Sequence, residues 1–283
     1  MRCRFCWYGY GHHRNLHLSV RRQVQMGIRD RGTATDVVYI DDIGFVYNSR
    51  LASLKVGASD LSGFDKNTYE YTYQVSSLSS LPTLTATADG IGATVEQSIS
   101  GGTATITVKG NDYSSNPANI HTYIINFVAN TEISASDITT TYGTAKALSV
   151  TTNNDQSALE YAVADPSIAR VENGKIVPLK AGATTLTISQ KASKNYTAGS
   201  KTVKLTVNKA TLTVTANNAT RPFGSENPVF TLTYKGFVNG ESETNLTQQP
   251  TATCKATATS PVGAYDITVS GGASDNYTFI YIK

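Results

Sequence analysis

The sequence contains few of the residues on which covalent cross-linking and most catalysis depend. It has three cysteines and four histidines among 283 residues, and an odd, sparse set of cysteines cannot form a disulfide framework. No stretch nears the roughly 18 consecutive apolar residues that a membrane helix needs. We therefore expect no membrane span in this chain, and we expect packed cores to hold its folds together.

Basic residues are scarce except at the start of the chain. Residues 1–32 contain seven Arg and one Asp, whereas residues 33–283 contain 17 Lys and Arg against 20 Asp and Glu. This break indicates an appended segment or a mispredicted start, and we favour the second. We predict that residues 1–32 are an aberrant basic leader without regular structure. They also lack the apolar run of 7–15 residues that a secretory signal needs.

Helical periodicity is absent, and short alternating runs of Thr, Val, Ile, Tyr and Ser take its place after residue 32. Residues 103–108 and 203–207 are typical, and Gly, Pro and Asn-Gly pairs separate such runs. Residues 171–177 form a predicted hairpin, with Asn173-Gly174 in a type I′ turn. The pattern predicts an all-β protein of short antiparallel strands.

An internal repeat organises the second half of the chain. Residues 181–197 and 262–278 align without a gap at an offset of 81, with nine of 17 positions identical. The same offset superimposes Tyr142-Gly143 on Phe223-Gly224. We infer two copies of one module of about 80 residues, a size that suits a β-sandwich with Greek-key connections.

Three tandem β-sandwiches after an irregular start therefore account for the chain. Residues 36–47 (DVVYIDDIGFVY) read as one strong strand with no obvious partner nearby in sequence. The predicted segments are a leader at 1–32, an orphan strand at 33–48 that could end an upstream jelly roll, and sandwiches at 49–130, 131–208 and 209–283.

The first two sandwiches resemble known modules. The segments resembling the cadherin-like β-sandwich domain of bacterial surface proteins are 51–56 (LASLKV), 61–65 (LSGFD), 68–73 (TYEYTY) and 122–125 (TYII). Residues 165–176 (DPSIARVENGKI) and 179–188 (LKAGATTLTI) resemble the group 2 bacterial Ig-like domain.

The third sandwich resembles the MBG domain of large secreted bacterial proteins, through residues 222–224 (PFG), 234–237 (YKGF) and 274–277 (SDNY). The resemblance implies that this module is cut short by one strand. Together these families imply strings of non-catalytic modules at the cell surface or secreted, without catalytic residues or cofactors. Residues 36–47 also resemble the final strand of carbohydrate-binding jelly rolls.

The sequence offers little for an active site. After residue 32 the only His is His121 and the only Cys is Cys254, so Ser–His–Asp and Cys–His machinery is not expected. Asp41 and Asp42 are adjacent on a strand and point to opposite faces, unlike the two carboxylates of a glycosidase that face each other across a cleft. We expect them to be solvated or turn-bonding, with a structural calcium or glycan contact as the alternative.

Three other patterns receive structural interpretations. Tyr69, Tyr71 and Tyr73 share one strand face, and we expect burial rather than a sugar-stacking stripe. Residues 240–243 (GESE) fit turn chemistry. In the leader, Cys3 and Cys6 lie too close to the following His residues for a ββα zinc finger, and the Arg residues allow, but do not favour, nucleic-acid binding.

Our functional prediction is a non-enzymatic stalk or interaction string of an exported bacterial surface protein, without cofactor or metal. Its expected partners are neighbouring domains of the parent protein and a glycan or surface protein, not nucleic acid. The alternative is a glycan-binding accessory fragment of a carbohydrate-processing protein, with residues 33–130 carrying the affinity. A third hypothesis, an intracellular Arg-rich nucleic-acid binder, requires residues 1–32 to be genuine.

Overall fold

The computed structural model describes residues 18–27, 37–45 and 48–283, the first two ranges as backbone only. The chain divides into two compact units, Met1–Val128 and Ala129–Lys283. Within the described ranges, the only helical element is a 3₁₀ turn at Glu243–Asn245. The prediction of an all-β protein with several antiparallel sheets is confirmed. None of the described helical segments is long and apolar enough to cross a membrane.

The first unit contains the strands that open the chain. They are β1 Leu18–Gly27, β2 Val37–Phe45, β3 Leu51–Val56, β4 Ser59–Asp60, β5 Glu70–Val75, β6 Leu84–Ala88, β7 Thr94–Ser100, β8 Thr103–Lys109 and β9 Ile120–Ala129, the last of which ends at the border between the units.

Strands β1 and β2 correct two expectations about the start of the chain. Residues 36–47 were expected to lack a nearby partner, yet β2 pairs antiparallel with β1 over nearly its whole length. Residues 18–27 belong to the segment expected to be irregular. Their sequence alternates apolar Leu18, Val20, Val24 and Met26 with polar residues, and this strand pattern is obscured by the high Arg content. The rest of the leader lies outside the described residues.

The remaining strands of this unit form two sheets, in the orders β4-β3-β6 and β5-β9-β8-β7. Strand β8 alternates strictly, because Ala104, Ile106 and Val108 are fully buried while the residues between them are partly exposed. Strand β9 does the same with Tyr123, Ile125 and Phe127, as expected for strands that have one face on a core.

The three tyrosines at 69, 71 and 73 face inward together and are half-buried. The ring of Tyr69 lies 5.1 Å from that of Tyr123, and the ring of Tyr73 lies 6.2 Å from that of Phe127. These aromatic contacts are part of the packing of the sheet. The tyrosines therefore do not form an open stripe on which a sugar could stack.

The second unit is built from shorter strands. They are β10 Ile133–Ala135, β11 Ile138–Thr141, β12 Lys146–Ala147, β13 Val150–Thr152, β14 Glu160–Val163, β15 Ala169–Glu172, β16 Lys175–Pro178, β17 Gly182–Gln190, β18 Gly199–Asn208, β19 Ala210–Ala216, β20 Leu232–Lys235, β21 Thr251–Cys254, β22 Ile267–Ser270 and β23 Tyr277–Ile282.

We call residues 131–208 module A and residues 209–283 module B. Module A has the sheets β11-β18-β17-β14, β12-β16-β15 and β10-β13, and module B has β20-β19-β23 and β21-β22. Two pairs, β11 with β18 and β19 with β23, are parallel and depart from the antiparallel expectation. The core of module A contains Ile176, Leu186, Ile188 and Leu205, all fully buried.

The 81-residue repeat has the same backbone geometry in both copies. Ala129 forms a parallel bridge with Tyr196, and Ala210 pairs in parallel with Tyr277, exactly one repeat later in sequence. The amide of Ala129 donates to the carbonyl of Asn195, and that of Ala210 donates to the carbonyl of Asn276, each at 2.9 Å. These contacts pair the residue at the start of each repeat with the Asn-Tyr segment near the end of that repeat.

Candidate functional site

The two acidic residues singled out in the sequence lie on β2. The backbone register places Asp42 opposite Arg21, whereas Asp41 lies at an irregularity where Arg22 and Gln23 of β1 face a single residue. Their side chains are outside the described part of the structure. A calcium or glycan contact at Asp41 and Asp42 therefore stays a prediction. Among the residues that are described, no group of three His, Cys, Asp or Glu side chains could hold a metal ion.

The first unit brings together a serine and a histidine that the sequence did not connect. The Ser49 hydroxyl lies 2.6 Å from Nδ1 of His121, and the imidazole stacks on Tyr69 with 5.4 Å between ring centroids. Burial, followed by the nearby Arg50, lowers the pKa of His121. Ser49 is only 1% exposed, so a substrate cannot reach its hydroxyl without strand opening. The hydrogen bond joins the segment before β3 to β9.

The most elaborate side-chain arrangement lies where module A meets module B, and it begins with a tight turn in module A. We call residues 141–144 the Tyr142 turn. Its closing hydrogen bond runs from the Thr144 amide to the Thr141 carbonyl at 2.9 Å. Gly143 has φ +80°, a left-handed conformation that glycine adopts without steric cost. The turn projects the Tyr142 ring toward module B.

Module B contributes a second turn to the junction, at residues 238–241. Asn239 and Gly240 have φ +55° and +74°, and the Glu241 amide donates to the Val238 carbonyl at 3.0 Å. Two successive positive φ values with an Asn-Gly pair indicate a type I′ turn. Val238 and Glu241 thereby flank the turn, and both face the Tyr142 turn.

Aromatic packing joins the two turns. Tyr142 is 4% exposed, and its ring meets the ring of Tyr277 edge-on at 5.8 Å. The ring of Phe237 also packs edge-on against Tyr277, at 5.4 Å. Val238 lies so close to Gly143 that a Cβ atom added to this glycine would be 2.4 Å from the valine Cγ2. Glycine is therefore required here by space as well as by backbone conformation.

A single carboxylate links both phenols at this junction. The hydroxyl of Tyr142 donates to Oε1 of Glu241 at 2.7 Å, and the hydroxyl of Tyr277 donates to Oε2. The Tyr277 oxygen also accepts from the Val238 amide at 3.0 Å. Burial raises the pKa of Tyr142, and burial together with the Glu241 hydrogen bond raises the pKa of Tyr277 to about 12. Both phenols are thus held in the neutral, donating form.

A second set of contacts crosses the junction at the end of module B. The Ala181 amide donates to Oδ1 of Asn276 at 3.0 Å, and the Lys180 ammonium lies 3.1 Å from the carboxylate of Asp275. The ion pair is largely exposed, with side-chain exposures of 49% and 71%. Exposed pairs contribute little to stability, so the backbone contact and the aromatic packing hold the modules together.

The two modules also share one hydrophobic core. The buried cluster of module B includes Tyr142 and Val207 from module A, packed with residues such as Leu212, Val214 and Tyr277. Partly buried Ile168 of module A packs against the same cluster. The hydrogen bonds and apolar contacts of this site fix the orientation of one module on the next.

One half of this junction is visible in the sequence and the other half is not. The repeat alignment had placed Tyr142-Gly143 opposite Phe223-Gly224, which located the turn but not its partner. Glu241 was interpreted as an ordinary turn residue, and it is separated from Tyr142 by 99 positions. Nothing local in the sequence indicates a contact over that distance.

Comparison with family models gives two partial matches. Residues 212–283 match the model of the MBG domain (YGX type), and residues 152–207 match the model of the hyaluronate lyase N-terminal beta-sheet domain. No curated protein matches the chain. The MBG resemblance of the third sandwich is therefore supported, whereas the cadherin-like and Ig-like resemblances of the other two stay predictions.

Proposed function

We propose that this chain supplies non-catalytic β-modules that serve as a spacer and interaction surface in an exported bacterial surface protein. The match of residues 212–283 to the MBG domain, a module of surface proteins, supports the class of protein. The match of residues 152–207 to a hyaluronate lyase β-domain supports an association with carbohydrate processing. The residues assigned to this role are those of the module junction.

One observation carries the spacer function, namely the core shared by modules A and B. A spacer keeps a neighbouring domain at a distance only when the interfaces between its modules resist bending. Domains that share a small interface usually move relative to each other. Here Tyr142 is buried in the core of module B and hydrogen-bonded to Glu241. This joint is built like the interior of a domain, as a spacer requires.

Surface location is tested by mild protease treatment of intact cells of the source organism, followed by mass spectrometry of the released peptides. We expect peptides from residues 131–283 in the released fraction, with a cytoplasmic marker protein absent. Recovery of these peptides only after cell lysis would contradict the proposal.

Stiffness of the joint is tested by hydrogen exchange of the full chain, with the Ala181 amide as the reporter because its partner, Asn276, lies in the other module. We expect Ala181 to exchange as slowly as the amides of β17, and Tyr142→Ala to accelerate it. Phe223→Ala, at the equivalent turn, is the matched control and should leave it unchanged. Fast exchange in the unmodified chain would indicate a flexible joint.

The alternative function is glycan binding, and the hyaluronate lyase match favours keeping it. It predicts that the full chain is retained on an insoluble polysaccharide and that Asp41→Asn with Asp42→Asn reduces retention. Asp155→Asn, an exposed acidic residue in module A, serves as the control. A drop in melting temperature on adding EGTA that the double variant abolishes would instead assign calcium to this pair, and unchanged retention of the double variant would remove the glycan role.

A further inference from the structure

Module B carries a second copy of the turn that joins the modules, and this copy is uncovered. We call residues 222–225 the Phe223 turn. The Ser225 amide donates to the Pro222 carbonyl, as the Thr144 amide does to Thr141 one repeat earlier. Gly224 has φ +84°, against +80° for Gly143. The two turns therefore have the same backbone form.

Their surroundings differ at each equivalent position. Phe223 is 67% exposed, whereas Tyr142 is 4% exposed. A Cβ atom on Gly224 would meet nothing within 4 Å, whereas one on Gly143 would clash with Val238. Val262, which is equivalent to Ala181, is 90% exposed. Module B therefore exposes an apolar side chain at each of the two positions that are equivalent to the contact residues of module A.

The Phe223 turn is ordered without a partner. The guanidinium of Arg221 donates to Oδ1 of Asn227 and to the carbonyl of Ser225, each at 2.8 Å. Phe223 and Val262 line one open cavity of about 850 Å³, which Tyr265 also lines. A preorganised turn beside a cavity lined by both polar and apolar side chains is a prepared docking surface, because its ordering cost is already met within the module.

We propose that the Phe223 turn and Val262 form the docking surface for a further module of the same type as module B. The occupant would present the surface that module B presents to Tyr142, with the equivalents of Val238, Glu241 and Tyr277. This proposal rests on the proposed spacer function and specifies how a string of modules would be extended.

The chemistry of the surface selects this occupant. Gly224 leaves room for a valine like Val238, and Val262 retains a backbone amide that can donate as Ala181 does to Asn276. Phe223 lacks the hydroxyl of Tyr142, so this docking would have one hydrogen bond fewer. A second copy of the present chain does not fit, since its own Tyr142 already covers the required surface.

The test uses the full chain extended after Lys283 by a copy of residues 203–283. This join keeps the 81-residue register, because Lys283 is equivalent to Thr202. Hydroxyl-radical footprinting reads the exposure of Phe223 in the unextended and the extended chain. We expect its oxidation rate to fall roughly seventeenfold, the ratio of the 67% and 4% exposures of Phe223 and Tyr142.

A variant and a control separate docking from other effects. Phe223→Asp in the extended chain should return Val262 to the oxidation rate of the unextended chain, while Tyr142 stays protected in every form. An unchanged rate at Phe223 would overturn the proposal, as would an appended copy that stays unfolded or a dimer of the unextended chain that protects Phe223. None of these results bears on surface location, so the spacer function would fail separately.

Discussion

The Tyr142 turn and the Phe223 turn differ in what covers them, although their backbones are alike. Both are closed by the same hydrogen bond, and both have a glycine with φ near +80° at the third position. One lies in a shared core beneath Val238 and Tyr277, and the other is open. The local sequence therefore determines the shape of the turn, whereas a segment about 100 residues away determines its burial.

This comparison separates two contributions to the free energy of unfolding, backbone strain and side-chain packing, that a single substitution usually changes together. The conformational cost of a left-handed residue is the same in both turns, while the packing contribution exists only at the covered one. Substitutions at paired positions, 142 with 223 and 143 with 224, should therefore measure packing alone. The expected loss of unfolding free energy is largest for the core aromatic residue and smallest for the exposed ion pair.

The largest difference is expected from Tyr142→Ala and Phe223→Ala. Loss of a buried aromatic side chain costs about 3 kcal/mol of unfolding free energy, whereas a change at an exposed position costs at most about 0.5 kcal/mol. Native-state hydrogen exchange of β19 and β22 in the full chain measures both losses within module B. Equal losses in the two variants would show that the Tyr142 turn is not covered in solution.

The next difference is expected from Gly143→Ala and Gly224→Ala. Both variants place an L-residue at positive φ, which costs about 1 kcal/mol. Only Gly143→Ala also forces a methyl group against Val238, and such overpacking costs about 1–3 kcal/mol more. Thermal unfolding of the full chain, followed by circular dichroism, compares the two.

A double variant checks the cause of that difference. Val238→Ala removes the methyl groups that an alanine at position 143 would meet. In that background the cost of Gly143→Ala should fall to the cost of Gly224→Ala. If the larger cost persists, backbone strain in the Tyr142 turn, not contact with module B, is responsible.

These pairs also show how far the sequence could predict the molecule. Alternation in β8 and β9 was sufficient for the strands and their buried faces, because one side of each strand lies on a core. The repeat alignment also located both turns. The residues that shape a turn are adjacent in sequence, so they remain recognisable in each copy of the repeat.

Long-range contacts could not be predicted in this way. Glu241 accepts from Tyr142 across 99 positions, and Ser49 meets His121 across 72. Neither the turn pattern around Glu241 nor the sequence around Ser49 indicates a distant partner, so only the folded chain reveals these contacts. The pairing of β1 with β2 was not predicted for a different reason. Val20 and Val24 keep the two-residue period of a strand, but the Arg residues between them give the segment the composition of a basic leader.

A smaller effect is expected from Tyr277→Phe. The change leaves the Val238 amide without its acceptor and Glu241 with one donor fewer, which should cost about 1–2 kcal/mol. Phe223, the equivalent of Tyr142, has no hydroxyl, so Phe223→Tyr adds a phenol at an exposed position and should be neutral. Urea unfolding of the full chain measures both.

The same phenol should make module B sensitive to alkali. The pKa of Tyr277 is about 12 in the folded protein and about 10 in an unfolded chain. The neutral phenol therefore stabilises the fold fully below about pH 10, and this stability is lost as the pH rises toward 12. Tyrosinate absorbance against pH should show a late-titrating group that Tyr277→Phe removes. A chain in which every tyrosine titrates near pH 10 would contradict the closed junction.

The smallest effect is expected at the exposed ion pair between Lys180 and Asp275. Both side chains are largely solvated, so Lys180→Ala should cost at most about 0.5 kcal/mol, and raising the salt concentration to about 1 M should abolish even that difference. The position equivalent to Lys180 in module B is Pro261, which has no charge to offer an occupant of the Phe223 turn. A loss above about 1 kcal/mol would mean that charge, rather than aromatic packing, orients the modules, and the docking proposed at the Phe223 turn would then lack its main contribution.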